Sequence, residues 1–240
     1  VFPSRSFRHG AWFVRADAGI TAPEGVRGRR IGVREYSMTA AVAARGVLED
    51  EHGLSARDAT WVVGDVDGRE RATIPLPRLP PEFRVERAPD GRLLGDMLLA
   101  GEVDALLAYK PPKAFTAGDP RIVRLFPDYE TRERDYAART GVFPIMHLIG
   151  IRRTLADAEP WLAMSLLAAF TAAKDLAIAD LAAVQVLKVA LPWAPAEFAR
   201  TRAVLGEDYW PYGVARNRRA VEAMARWHHA QGLSPRPLGV

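Results

Sequence analysis

Up to about residue 150, apolar residues fall into short runs separated by polar, Gly- and Pro-bearing stretches; beyond it they recur at helical spacing. After a basic, turn-like start at Val1 to Arg8, His9 to Arg15 reads as a strand through Ala11, Trp12, Phe13 and Val14. A Pro/Gly-bearing linker (18–28) leads to a short apolar strand, Arg30 to Arg34. Met38 to His52 carries Ala, Val and Leu at helical spacing and ends at Gly53, a residue suited to a helix C-terminus. Thr60 to Gly64 is a second strand, which completes a right-handed crossover if it lies parallel to the first. Residues 64–89 read as a polar loop with one strand at Phe83 to Arg87. A helix over Leu93 to Ala100 closes at Gly101, and Val103 to Ala108 is a buried strand that Pro111-Pro112 stops. Residues 113–134 look irregular apart from a strand at Ile122 to Leu125, and Val142 to Ile151 is a further strand. From Pro160 the pattern predicts helices at 161–191, 196–205 and 216–231, with an aromatic loop at Tyr209 to Gly213. The middle of the chain is therefore α/β and its end helical.

Composition narrows the function classes. The 240 residues are 49% hydrophobic and 26% charged, ordinary for a folded globular protein. The net charge of +4, dominated by arginine, suits an anionic small molecule as well as nucleic acid, but no nucleic-acid module or basic stripe accompanies it. The absence of cysteine excludes a disulfide framework, a thiolate nucleophile and a cysteine-ligated metal. The longest apolar stretch, Trp161 to Ala173, stops at Lys174 and Asp175, short of a membrane span, so none is expected. The chain opens on Val1 with no signal-peptide pattern and reads as a fragment or a processed chain.

Three segments could carry chemistry. Ser4 to His9 gathers Arg5, Arg8, two hydroxyls and the imidazole of His9; paired guanidinium groups suit a carboxylate or phosphate, against the plainer reading of a solvated basic loop. Arg34 to Thr39 is a turn between a strand and a helix, where free amides and the helix dipole favour an anion. Within it Ser37 or Thr39 could cap the helix, touch a ligand, or both. No phosphate-loop spacing occurs there, which disfavours nucleotide binding. Thr140 to His147 places one imidazole, His147, in an apolar strand beside Phe143; an isolated buried histidine is by default a satisfied core residue, yet His9 is also strand-adjacent. No metal-ligand spacing of histidines is present, so no metal and no cofactor is expected.

Taken in order, residues 2–9 (Phe-Pro-Ser-Arg-Ser-Phe-Arg-His), 28–40, Ala44 to Leu48, Thr140 to His147 and Asp208 to Gly213 resemble the 4,5-dihydroxyphthalate decarboxylase family over nearly the whole chain. The Thr-Gly-x-Phe-Pro-Ile-Met-His and Trp-Pro-Tyr-Gly blocks are the more specific parts. The resemblance implies a type 2 periplasmic-binding-protein-like α/β fold, two lobes around a cleft with a helical C-terminal part. Residues 1–18 and 136–240 would form the first lobe with the C-terminal helices, and 19–135 the second. Family members carry a further N-terminal segment, so the first lobe is expected to be incomplete and its edge strands exposed.

The implied reaction is non-oxidative decarboxylation of a dihydroxylated aromatic dicarboxylate such as 4,5-dihydroxyphthalate, the work of a carboxy-lyase. It needs a proton delivered to the ring carbon and a grip on the remaining carboxylate. His147 or His9 is the expected acid, with Glu35 orienting an imidazole or accepting from a ring hydroxyl. Arg5 and Arg8, with Ser37, Met38 and Thr39 at the helix start, are expected to hold carboxylates, and Phe143 to line the pocket. The rival is a solute-binding protein of the ABC-transporter type that captures an anionic small molecule unchanged. The expected partner is a small aromatic dicarboxylate, with no nucleic acid; the expected location is cytoplasmic, and oligomeric state stays open.

Overall fold

The computed structural model describes residues 1–68, 76–183 and 185–240; 69–75 of the expected 64–89 loop and position 184 of the expected long helix lie outside the described residues. In chain order the elements are β1 (Ser4–Arg5), β2 (Trp12–Arg15), β3 (Arg30–Val33), α1 (Thr39–His52), β4 (Thr60–Val63), β5 (Arg84–Arg87), α2 (Leu94–Ala100) and β6 (Ala105–Leu107). They continue with α3 (Lys113–Thr116), β7 (Ile122–Arg124), α4 (Tyr129–Thr140), β8 (Ile145–His147), α5 (Arg153–Ala158), α6 (Leu162–Ala182), α7 (Ala194–Leu205) and α8 (Val214–Ala230).

Six strands form one mixed sheet in the order β5-β4-β3-β6-β2-β7. β3 runs parallel to β4 and β6, β4 runs parallel to β5, and β2 lies antiparallel between β6 and β7. The parallel strands are covered on both faces, which is why β3, β4 and β6 read as unbroken apolar runs rather than alternating ones. Alternate side chains feed two cores. Trp12, Val14, Ile31, Val33, Trp61 and Val63 pack against Ala41, Ala44 and Leu48 of α1, whereas Phe13, Val62 and Leu106 meet Leu94, Met97 and Leu98 of α2. A third core lies on the far side of α1, where Val42, Ala43 and Val47 contact Ala220, Ala223 and Trp227 of α8 together with Phe2, Tyr136 and Met146. Helix α1 is thus sandwiched between sheet and α8, and every residue from Ala40 to Leu48 is buried.

Gly46 is what lets α1 and α8 approach. A Cβ there would lie 2.2 Å from the Trp227 indole. Gly46→Ala is therefore expected to destabilise the fold by about 1–3 kcal/mol through overpacking, read as a lower urea midpoint with an unchanged slope.

A separate two-stranded sheet pairs β1 with β8. The family-resembling blocks at both ends of the chain meet there. Arg5, buried in β1, donates to Pro211 O at 2.7 Å, to Phe143 O at 3.3 Å and to Asn217 Oδ1, while Trp210 Nε1 donates to Phe2 O at 3.0 Å. Phe143 stacks on Phe7 with ring centroids 4.7 Å apart and meets Trp210 edge-on at 5.4 Å.

Several sequence expectations need correction. His9 to Ala11 form a 3-10 turn rather than the start of a strand, because Ala11 N bonds back to Arg8 O. Within residues 113–134, expected to be irregular, lie the short helix α3 and the first half of α4. Only Tyr136 and Ala137 of that helix are buried, so it has almost no apolar stripe to read, and pairs such as Asp128–Arg132 at i,i+4 support it instead. Regular pairing in the expected 142–151 strand is confined to β8, and residues 153–158 add the short helix α5.

The long helix of 161–191 ends at Ala182, after which Ala183 is extended and β-branched Val186 and Val189 lie outside any helix. At 21 residues, with mean hydropathy 1.6 in its most apolar window, α6 is long and apolar enough to cross a membrane by length and composition. The expectation of no such stretch counted only as far as Lys174, whose ammonium pairs with Asp208 at 3.1 Å and Asp175 at 3.3 Å. Much of the α6 surface is open: Met164 is 68% and Leu176 71% exposed.

Candidate active site

Strand order changes direction between β3 and β6: from β3 the chain winds outward through β4 and β5, while β6 lies on its other side. In open α/β sheets such a switch point opens a crevice beyond the carboxyl ends of the strands. Arg34 directly follows β3 and Tyr109-Lys110 closely follow β6, and the N-terminus of α1 opens there too. Two small cavities occupy this edge and share Arg34 and Tyr109. One is lined by Arg8, Arg34, Met38, Ala40, Ala41, Leu107 and Tyr109 among others. The other adds Asp65, Val66, Asp67 and Lys110.

The first cavity has the character of an anion site. Arg34 is buried, and the buried Nε of Arg8 has no hydrogen-bond partner. Burial pulls the Arg8 guanidinium below its usual range, with the charge of Glu133 opposing it. Met38 is the N-cap of α1 and no side chain caps the helix. The expected cap by Ser37 or Thr39 is not made: the Ser37 hydroxyl donates to Glu35 Oε1 at 2.8 Å instead. Two guanidinium groups beside a helix N-terminus that no side chain caps can hold adjacent carboxylates with charge-assisted hydrogen bonds.

The second cavity is acidic at one end. Asp65 Oδ1 accepts from the amides of Asp67 and Gly68, each at 3.0 Å, and Asp67 Oδ2 accepts from Lys113 N at 3.0 Å. These bonds fix the loop after β4 against the start of α3.

The residues expected from sequence distribute unevenly around this edge. Arg8 and Met38 line the first cavity, Glu35 and Ser37 belong to the turn beside it, and Thr39 opens α1. Arg5 and Phe143 do not line it; they border a separate surface hollow with Asp208, Arg216, Asn217 and Arg219. His147 ends β8 exposed, with Ser4 as its strand partner, and lines neither cavity. Arg34 was expected only as the first residue of the 34–39 turn, and Tyr109, Lys110 and Asp65 were not singled out by sequence reading, although each sits at or within three residues of the carboxyl end of a strand, which is the signal that locates them.

His9 lies behind Arg8, 3% exposed, with Nε2 3.0 Å from Glu51 Oε2 and Nδ1 3.9 Å from Glu133 Oε1. Burial lowers the His9 pKa, and the Glu51 carboxylate raises it without overcoming that effect. For Glu51, burial alone would raise the pKa, but hydrogen bonds from His9 and Arg139 outweigh it and hold the carboxyl below its usual range. Both groups bind protons less readily when folded than when unfolded, so the stability they contribute falls as pH drops below the unfolded histidine pKa of about 6.5 and on through the carboxylate range, whereas Glu133, whose carboxyl burial raises, contributes with the opposite sign. The change in urea midpoint between pH 7 and pH 5 is expected to be shifted in His9→Gln toward greater relative stability at pH 5; the same change in both proteins would refute this.

No family model matches the chain. Whole-chain similarity is nevertheless clear. A 4,5-dihydroxyphthalate decarboxylase of Comamonas testosteroni is 39% identical over 238 residues, which cover 99% of this chain and 72% of the relative. An enzyme of the same name from Pseudomonas putida is 41% identical over 136 residues, covering 57% of this chain and 53% of the relative. The first of these similarities takes in both strand-end cavities and the β1–β8 sheet, and by it the chain belongs to the 4,5-dihydroxyphthalate decarboxylase family.

Proposed function

We propose that the protein removes one carboxylate of 4,5-dihydroxyphthalate as CO2, leaving a dihydroxybenzoate. The observation that carries this reading is the pairing of Arg8 and Arg34 in one cavity with the N-terminus of α1. Two adjacent carboxylates on one ring need two cationic grips side by side, a need that Arg8 and Arg34 in one cavity would meet. The hydroxylated edge of the ring would then extend past Tyr109 toward Asp65, Asp67 and Lys110.

In the reaction the ring hydroxyl para to the departing group pushes electron density to the ring carbon, which takes a proton. The bond to the carboxylate then breaks and its electron pair returns to the ring. The protein's tasks are to hold the second carboxylate still and to deliver the proton. His147 is assigned as the acid because it is exposed and can be reprotonated from water after each turnover, whereas His9 is enclosed by Glu51, Phe126 and Tyr136. His9 then acts as a positioning residue that anchors the turn leading out of Arg8. Glu35, tied to Ser37, holds the shape of the turn between β3 and α1.

The wider architecture belongs to the same proposal: two lobes of the type 2 periplasmic-binding-protein kind, with 1–18 and 136–240 mainly in one and 19–135 in the other. Support comes from the division into a six-stranded and a two-stranded sheet, with β2 as the strand by which the first segment enters the larger sheet. Purified protein incubated with 4,5-dihydroxyphthalate is expected to release CO2 and the dihydroxybenzoate in equal amounts. Tight binding with no product would instead favour capture of an anionic solute without chemistry.

A further inference from the structure

Arg45 is the most deeply enclosed charge among the described residues. It is 1% exposed in the second turn of α1, and its hydrogen-bond acceptors are neutral. Its Nε donates to Gln231 Oε1 at 2.8 Å and one terminal nitrogen donates to Tyr36 O at 2.5 Å, while the other has no partner. The guanidinium lies over the Tyr36 ring at 4.0 Å and near the Trp61 ring at 4.9 Å. Gln231, itself 0% exposed, is held by its amide to Val42 O at 2.9 Å, and its own carbonyl accepts from the Tyr36 hydroxyl at 3.0 Å. Among the described residues no carboxylate forms an ion pair with Arg45. Burial lowers its pKa to about 10, so it stays charged at neutral pH.

A buried cation without a counter-ion costs stability, and an apolar side chain of similar volume would commonly serve the core better. Its location gives it another use. Tyr36 O belongs to the turn that carries Arg34 at one end and Met38 at the other, so Arg45 ties that turn to α1 from beneath. A charge this far from water also keeps much of its field.

We infer that Arg45 is a positioning residue of the dicarboxylate site, fixing the 34–38 turn and adding an uncompensated positive charge behind the amino end of α1. This rests on the reading that the turn holds the substrate's carboxylates. Arg45 touches no substrate; it sets the charge preference of the groups that do.

The test is calorimetric binding of phthalate, a dianion, and benzoate, a monoanion, to the full chain and to two variants. Arg45→Met removes the charge. Gln231→Glu keeps the shape and places a carboxylate against the guanidinium. A unit charge about 10 Å away, roughly six residues of helical rise, acting through an effective dielectric near 20, changes the preference for the dianion by about fifteenfold. Either folded variant is expected to lose that preference, and Arg45→Lys to restore most of it. With 4,5-dihydroxyphthalate the variants should raise KM and leave kcat within about threefold, as loss of uniform binding does. Equal weakening of both ligands would show a purely structural role and overturn the inference while leaving the site assignment intact. If the native protein binds neither ligand, the site assignment falls, and the inference with it.

Discussion

His147→Gln is expected to lower kcat for 4,5-dihydroxyphthalate by about 10²- to 10⁴-fold, the range a single positioned acid supplies. The affinity for phthalate should stay within a few-fold of the native value, because the imidazole delivers a proton and does not grip a carboxylate. The exposed position at the end of β8 makes the substitution mild for the fold: no core contact is lost, and the strand pairing with Ser4 uses backbone groups. The same change at His9 has a different signature. Its imidazole is buried against Glu51 and its loss should show in stability first. Steady-state kinetics combined with urea titrations of both variants separates the two roles. A His147→Gln enzyme with native kcat would remove this residue from the chemistry.

Arg8→Met is expected to raise KM by about 10- to 100-fold, since a charge-assisted hydrogen bond to a bound carboxylate contributes about 1.5–3 kcal/mol. Stability should barely move or rise slightly. The guanidinium is half-buried with its Nε unpaired and the charge of Glu133 offsets its desolvation only in part, so the unliganded protein bears a cost that a bound carboxylate would reduce. Opposite movements of affinity and stability are characteristic of a group retained for binding. Arg8→Lys should recover little, because an ammonium cannot reproduce the planar fork of a guanidinium. A matched loss of stability and affinity would place Arg8 among the structural residues instead.

How far sequence reading reached can be followed through particular residues. The β3–α1–β4 crossover was legible because Gly53 ends the helix in the left-handed conformation and both strands are short apolar runs. Helix α4 was hidden, since a helix whose exposed faces are nearly all charged presents no apolar period. The site was half legible. Arg8 and the 34–39 turn emerged from the chemistry of closely spaced groups, but Arg5, three residues from Arg8, proved to be committed to Pro211 and Asn217. Spacing shows only that two arginines are near each other; the strand pairing decides which of them reaches the cleft. Tyr109 and Lys110 were missed because they stand alone in sequence and meet Arg34 only through the parallel pairing of β3 with β6. Both specific blocks of the family resemblance contribute to the β1–β8 junction, so part of that resemblance reflects architecture. His147, at its edge, is the residue there with a chemical role to test.

The most direct test of where the dicarboxylate sits is a titration of isotope-labelled protein with phthalate, followed amide by amide. Binding at the switch point should move the backbone signals of Arg34 to Ala41 and of Tyr109 and Lys110 in a single saturable transition. Shifts confined to the hollow around Arg5, Arg216 and Arg219, with residues 34–41 unmoved, would contradict the account.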